Sequence, residues 1–268
     1  MRRAAILLLL LLALPAVAET RIRASYAAYA TGLNIMNMEA GFRLDPGAYR
    51  VQVALRTAGM LSVFLRGEQV STVEGRVLGD GRLQPMRFLM DGTWRGNPRR
   101  LALDYDGAIP MVRAAVPPNG AEREEVPESM RPGTVDTLTA LAVLARQVAR
   151  TGQCDGTVAT FDGRRRVDFV ARTVGQEVLV ASRTAPFAGP ALRCTFEGVQ
   201  TAGFWRDQDR AEAGKPQRGT AWFARAVPGA EPIPVRVEAE TRWLGTTFLY
   251  LQEASVGELP APLRTAGN

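Results

Sequence analysis

Residues 148–169, VARTGQCDGTVATFDGRRRVDF, gather the side chains with the most chemical potential in this chain. They hold Cys154, two Asp-Gly pairs and the consecutive Arg164, Arg165 and Arg166. A thiol redox centre would need a C-x-x-C pair or an adjacent base to depress the thiol pKa, and neither is present. The glycines of 152–156 lack the G-K-[ST] ending of a phosphate loop, and no G-x-G-x-x-G occurs. No serine stands in a G-x-S-x-G elbow. The chain has 0 histidines, which removes Ser-His-Asp and Cys-His catalysis, the common zinc sites and any histidine pH switch. Carboxylate chemistry survives that test. Glu238 and Glu240 share one strand face, as a glycosidase-like pair would, but Arg236 and Arg242 flank them as in a surface ion network. Glu124 and Glu125 lie in a polar loop and read as solvated.

The compartment follows from the first residues. Arg2 and Arg3 precede an apolar run from Ala4 to Leu14, and Ala16-Val17-Ala18 supplies a small-x-small cleavage site. The run is short for a bilayer span, which needs about 20 apolar residues. Residues 1–18 are therefore expected to be a cleaved signal peptide, with the mature chain in the periplasm and no transmembrane span. Losing Arg2 and Arg3 lowers the formal charge from +6 to +4. In an oxidising compartment Cys154 and Cys194, the only cysteines, are expected to form one structural disulfide. Closing a loop of about 40 residues stabilises a fold by roughly 4 kcal/mol. Nucleic acid is disfavoured, because 27 acidic residues are mixed among the basic ones and leave no extended basic stripe.

The elements that must position these residues are mostly strands. Tyr49 to Arg56 alternates apolar with polar, the period of a strand with one buried face. Leu83 to Trp94 and Arg99 to Tyr105 continue the theme, with Pro46-Gly47 and Asp80-Gly81 as turns. Val116 to Gly133 reads as a Pro-containing loop with little to put in a core. Then the period changes. Asp136 can cap a helix over about 136–150 that Gly152 ends, and its first three turns are apolar nearly all round. Such a helix belongs inside something, and here that is curved sheet. After it, 157–161 and 166–172 flank Asp162-Gly163 as a hairpin, Gly175 reads as a second turn, and Val235 to Ala239 pairs with Thr246 to Gln252. The expected organisation is one β-rich domain over 19–255 with a flexible tail at 256–268.

The order of Val135-Asp136-Thr137-Leu138-Thr139-Ala140-Leu141, Phe161-Asp162-Gly163-Arg164-Arg165, Ala221-Trp222-Phe223 and Ile233-Pro234-Val235-Arg236-Val237 resembles a bacterial exported family, domain of unknown function 3108. More distantly it is similar to periplasmic open-barrel lipoprotein carriers and envelope-integrity proteins. That resemblance implies a strongly curved antiparallel sheet, an open barrel or half-barrel, around one apolar helix, and it implies no reaction, cofactor or metal.

The expectation is a mainly β, non-enzymatic envelope protein that binds an apolar lipid or lipoprotein-like ligand, or an envelope partner, on the concave face. Arg164, Arg165, Arg166 and Trp243 are the candidate contacts. Trp94, Trp205 and Trp222 suit either a groove or the core. A competing reading is a scaffold whose barrel the helix plugs, and a carboxylate-dependent hydrolase ranks last.

Overall fold

Alternation of the kind seen at Tyr49-Arg50-Val51 produces strands almost throughout. The computed structural model describes residues 20–45, 47–241 and 244–257. The expected signal segment, Trp243, Arg242 and the tail beyond 257 lie outside the described residues. The first half contains β1 (Thr20–Ala30), β2 (Leu33–Asp45), β3 (Ala48–Thr57), helix α1 (Leu61–Phe64), β4 (Gly67–Val77), β5 (Leu83–Trp94), β6 (Asn97–Asp106) and β7 (Ile109–Val116). Helix α2 (Thr137–Thr151) separates these from β8 (Gly156–Phe161), β9 (Arg166–Leu179) and β10 (Gly189–Ala202). A short α3 (Arg210–Ala213) precedes β11 (Gln217–Ala224), β12 (Ile233–Thr241) and β13 (Gly245–Val256).

All of these strands join one 13-stranded sheet in the order β7-β6-β5-β4-β3-β2-β1-β13-β12-β11-β10-β9-β8. Each strand pairs antiparallel with its sequence neighbours except that β7 and β8 do not pair with each other, and β1 pairs with β13 from Ile22↔Val256 to Ala30↔Thr247. The sheet curls into a nearly closed barrel whose free edges are β7 and β8. The expected mainly β, strongly curved sheet is therefore observed.

Helix α2 lies on the concave face as the change of period requires. The Asp136 carboxylate accepts the Thr139 N–H at 2.9 Å and the Thr139 hydroxyl at 2.6 Å, and Gly152 ends the helix in the left-handed conformation. Thr139, Ala142, Ala145 and Val148 form the buried stripe, and their small side chains bring the helix close to the sheet. Ala142 packs in a cluster with Tyr49, Val51, Val73, Phe88 and Leu103, and the Tyr49 and Thr139 hydroxyls bond at 2.8 Å. The helix is not enclosed all round, however: Leu141 and Val143, on either side of the buried Ala142, are exposed. Small residues on the buried face allow close approach, and Leu138 and Leu144 pack against the clusters on either side of it.

Two further expectations need correction. Gly175 is not a turn: β9 runs through it to Leu179 with a bulge opposite Arg193 and Cys194. The loop 116–133 also does more than cross solvent. It buries Val126, sets Met130 against the core, and lies over the gap between β7 and β8. Beyond it, Val135 bridges Thr160 on the free edge of β8. An otherwise unpaired edge is thereby covered.

Candidate ligand-binding pocket

The inward rows of β3 to β6 begin under α2 and run past it. Tyr49 and Val51 meet the helix cluster, and Leu55 lies farther along the same row. Likewise Phe88 leads to Met90 and Trp94, and Leu103 and Leu101 lead to Arg99. The helix occupies one half of the concavity: about 70 Å³ remains between Leu141, Ala142 and Ala145 and the sheet residues Ile22, Phe42 and Val51, and a hollow of about 470 Å³ flanks its end at Val148, Ala149 and Gly152 against Leu192 and Phe223. The other half holds a hollow of about 340 Å³, lined by Leu55, Met90, Trp94 and Trp205 on its apolar side and by Arg99, Arg123, Arg164 and Arg165 on its charged side. It falls in the size range of small-molecule sites, which begins near 300 Å³.

Three chain segments converge to roof this pocket. The β8–β9 hairpin is tied by Asp162, whose Oδ1 accepts the N–H groups of Arg164 and Arg165 at 3.0 and 2.9 Å. The loop after β7 contributes Glu122 and Arg123. The stretch after β10 contributes Trp205, and Arg123 pairs with it as an isolated bridge. Gly203 is required where they meet: its φ is +77°, and an added Cβ would lie 2.1 Å from the Arg164 carbonyl oxygen. Gly67 has a comparable role on the floor, since a Cβ there would strike the Trp94 ring at 2.4 Å.

The charges are unevenly matched. Glu122 is gripped by both terminal nitrogens of Arg99, at 2.5 and 2.9 Å, which holds its carboxyl below the usual carboxylate range. Asp162 Oδ2 accepts from Arg165 Nε at 2.7 Å and raises that guanidinium's pKa. Glu68 stands exposed at the rim. Among the described residues Arg123 and Arg164 hydrogen-bond only to neutral acceptors, Arg123 to the Gly203 carbonyl at 2.9 Å and Arg164 to that of Pro117 at 2.7 Å, while the charges of Glu122 and Asp162 act on both. Arg123 also stacks on Trp205, with Cζ 3.8 Å from the ring centroid. Burial and the nearby Arg165 push its pKa down to about 10. An anion entering here would meet two partly desolvated cations beside two indole rings.

A roomier hollow of about 810 Å³ lies on β9 to β13 and is lined by Arg172, Glu197, Arg218, Glu238 and Glu240. Its polar row alternates with the row of Cys194, Ala221 and Val237 that packs around the disulfide, so it occupies the opposite face of the sheet. Glu197 pairs with Arg218 at 2.9 Å and Glu238 pairs with Arg236, the surface ion network expected from their spacing. In that trough Glu197 and Glu238 are each already paired with an arginine.

Residues 23–252 match the family described as protein of unknown function (DUF3108). The chain belongs to this family. No curated protein matches it. Among solved structures, this DUF3108 chain is similar to a beta-barrel-like protein of domain of unknown function DUF1849 from Brucella abortus. The likeness has a TM-score of 0.51 at 12% identity, covering 89% of this chain and 98% of that one. At that identity it speaks for the fold alone.

Within the DUF3108 fold the predicted site residues separate. Cys154 and Cys194 are both buried and joined as a disulfide, with Cα atoms 6.2 Å apart. Arg164 and Arg165 reach the pocket. Arg166 turns away, bonding the Met130 carbonyl at 2.9 Å and Asp168 at 3.0 Å. Trp222 is buried and donates to Glu177 at 2.9 Å, whereas Trp94 and Trp205 are exposed at the pocket. Sequence reasoning missed Arg99, Glu122 and Arg123. Each looks like ordinary surface charge until the loop after β7 is folded over the barrel gap.

Proposed function

We propose that this DUF3108 chain is a non-enzymatic, exported binding protein of the bacterial envelope that holds an anionic, acyl-bearing ligand. The acidic headgroup sits between Arg123 and Arg164, and the first part of the apolar chain lies against Trp94, Met90 and Leu55. The observation that supports this reading is a pair of guanidinium groups that, among the described residues, donate only to backbone carbonyls, beside the apolar side of the pocket. Envelope location rests on the Arg2-Arg3 and Ala16-Val17-Ala18 signal pattern and on the disulfide. Among the described residues no helix is long and apolar enough to cross a membrane.

The test is native mass spectrometry of mature protein purified without detergent and then offered phosphatidylglycerol. The expected result is a one-to-one adduct whose retention falls roughly tenfold or more in Arg123→Ala, the size of one charge-assisted hydrogen bond. A clean apo mass under the same conditions would sink the proposal. It would favour a second reading, a structural barrel plugged by α2, for which the small space left between helix and sheet already speaks.

A further inference from the structure

The connection between β3 and β4 has no counterpart elsewhere in the sheet. Residues 58–66 read AGMLSVFLR, an apolar sequence where a strand connection is ordinarily polar. None of it is used inside: α1 has no buried residue, and Met60, Val63 and Phe64 are 71%, 76% and 75% exposed. Scattered exposed apolar residues need no explanation, but three large ones on one short turn form a patch. Leu33, in the neighbouring β1–β2 turn, is exposed as well, and Ala58 bonds the Ile35 carbonyl beside it at 3.0 Å.

The loop is held out rather than left to collapse. At its neck the Thr57 hydroxyl accepts the Gly67 N–H at 3.0 Å from a buried position. On the other side the Arg95 N–H donates to the Arg66 carbonyl at 2.8 Å, joining the loop to the β5–β6 turn. Arg66 and Arg95 are exposed at the base of the apolar tip, and among the described residues no ion pair engages either of them. The order along the projection is therefore apolar tip, then a collar of two exposed cations, then the barrel.

From this arrangement we infer that the Met60–Arg66 loop is a docking tip for the surface of an anionic lipid bilayer. Met60, Val63 and Phe64 enter the acyl boundary while Arg66 and Arg95 meet headgroup phosphates. Charge complementarity selects this occupant: interfacial anchoring needs apolar side chains to bury and basic residues at headgroup depth, and this loop has both within a few residues. An apolar groove on a protein would use the tip but would gain nothing from the collar. The docking reading stands apart from the pocket, and either can fail without the other.

Flotation of the mature full-length chain with vesicles of phosphatidylethanolamine and phosphatidylglycerol tests it, with phosphatidylcholine vesicles for comparison. The wild type is expected to float with the anionic vesicles, less so as salt rises. Phe64→Asp should abolish flotation. The double variant Arg66→Gln, Arg95→Gln should weaken it roughly thirtyfold, at about 1 kcal/mol per basic residue near an anionic surface. Val180→Asp, at a valine 85% exposed on a different loop, should float as the wild type does. An environment-sensitive dye on Val63→Cys should shift to the blue on anionic vesicles. Absence of flotation, flotation indifferent to Phe64→Asp, or an unshifted dye would each overturn the assignment. All the altered side chains are exposed, so unchanged circular dichroism is expected throughout.

Discussion

Arg164 on the β8–β9 hairpin donates to the carbonyl of Pro117, just beyond the end of β7, at 2.7 Å. The two free edges of the sheet are thus linked by one guanidinium, and Asn119 Nδ2 adds a bond to the Gly163 carbonyl at 3.0 Å. Farther along the same closure, Glu124 N–H bonds Phe204 O at 2.9 Å and Arg206 N–H bonds Glu122 O at 3.2 Å.

Arg164→Ala is accordingly expected to open this closure locally before it unfolds the molecule. The loss should be about 1.5–3 kcal/mol, the range for a hydrogen bond with one charged partner. Hydrogen exchange would show faster exchange at the Glu124 and Arg206 amides, with β1 to β6 still protected. Uniform acceleration across the sheet would argue against a local clasp.

Removing the disulfide should act on the whole fold. Cys154 follows α2 and Cys194 lies within β10, so the bond fixes the helix exit to the sheet. The double substitution Cys154→Ala, Cys194→Ala is expected to lower the unfolding free energy by about 4 kcal/mol from loop closure, read from urea titrations. Because both sulfurs are buried, native protein should resist reductant that reduces the urea-unfolded chain completely. Rapid reduction of the native protein would contradict the burial.

Asp136 supplies a pH dependence of unusual sign. Burial raises its carboxyl pKa, against the opposing effect of the Thr139 bonds. Between the ordinary carboxylate value and this raised one, the folded state keeps a proton that the unfolded state has released. Its contribution to stability is therefore greatest at acid pH and declines as pH rises through that window. Glu122, whose pKa is lowered by Arg99, contributes in the opposite sense and loses its stabilisation as pH falls. Asp136→Asn, which keeps a capping acceptor, should flatten the Asp136 part of the profile. Asp136→Ala should flatten it as well and lie about 1 kcal/mol below Asp136→Asn at every pH through loss of the cap. Denaturation of the three proteins from acid to neutral pH distinguishes these outcomes, and parallel wild-type and Asn curves would refute the assignment.

How far the sequence reached depended on the separation of the partners. Asp136, Thr139 and Gly152 announce the helix within one segment, and Asp162-Gly163 announces its hairpin for the same reason. The pairing of β12 with β13 across a short turn was equally local. The pocket was not local at all. Trp94, Arg99, Glu122, Arg123, Arg164 and Trp205 come from separate stretches, and they meet only because the loop after β7 lies over the barrel gap. The loop was misjudged because its anchors are backbone carbonyls, those of Pro117, Gly120 and Met130, which composition does not display. The exposed face of α2 was misjudged because Leu141 and Val143 are apolar without being buried.

The strand order makes the chain's earliest described strand wait for its last. β2 to β7 can zip outward from β1 as successive hairpins, and β8 to β12 can do the same among themselves, but β1 gains its second neighbour only when β13 is in place. Until then two sheet fragments exist, each with an open margin of unpaired amides able to recruit a stranger. Docking of β13 between β1 and β12 is thus the pairing that joins the two half-sheets into one. Loss of β13 alone would leave β1 and β12 as exposed margins while every other strand pair remained possible.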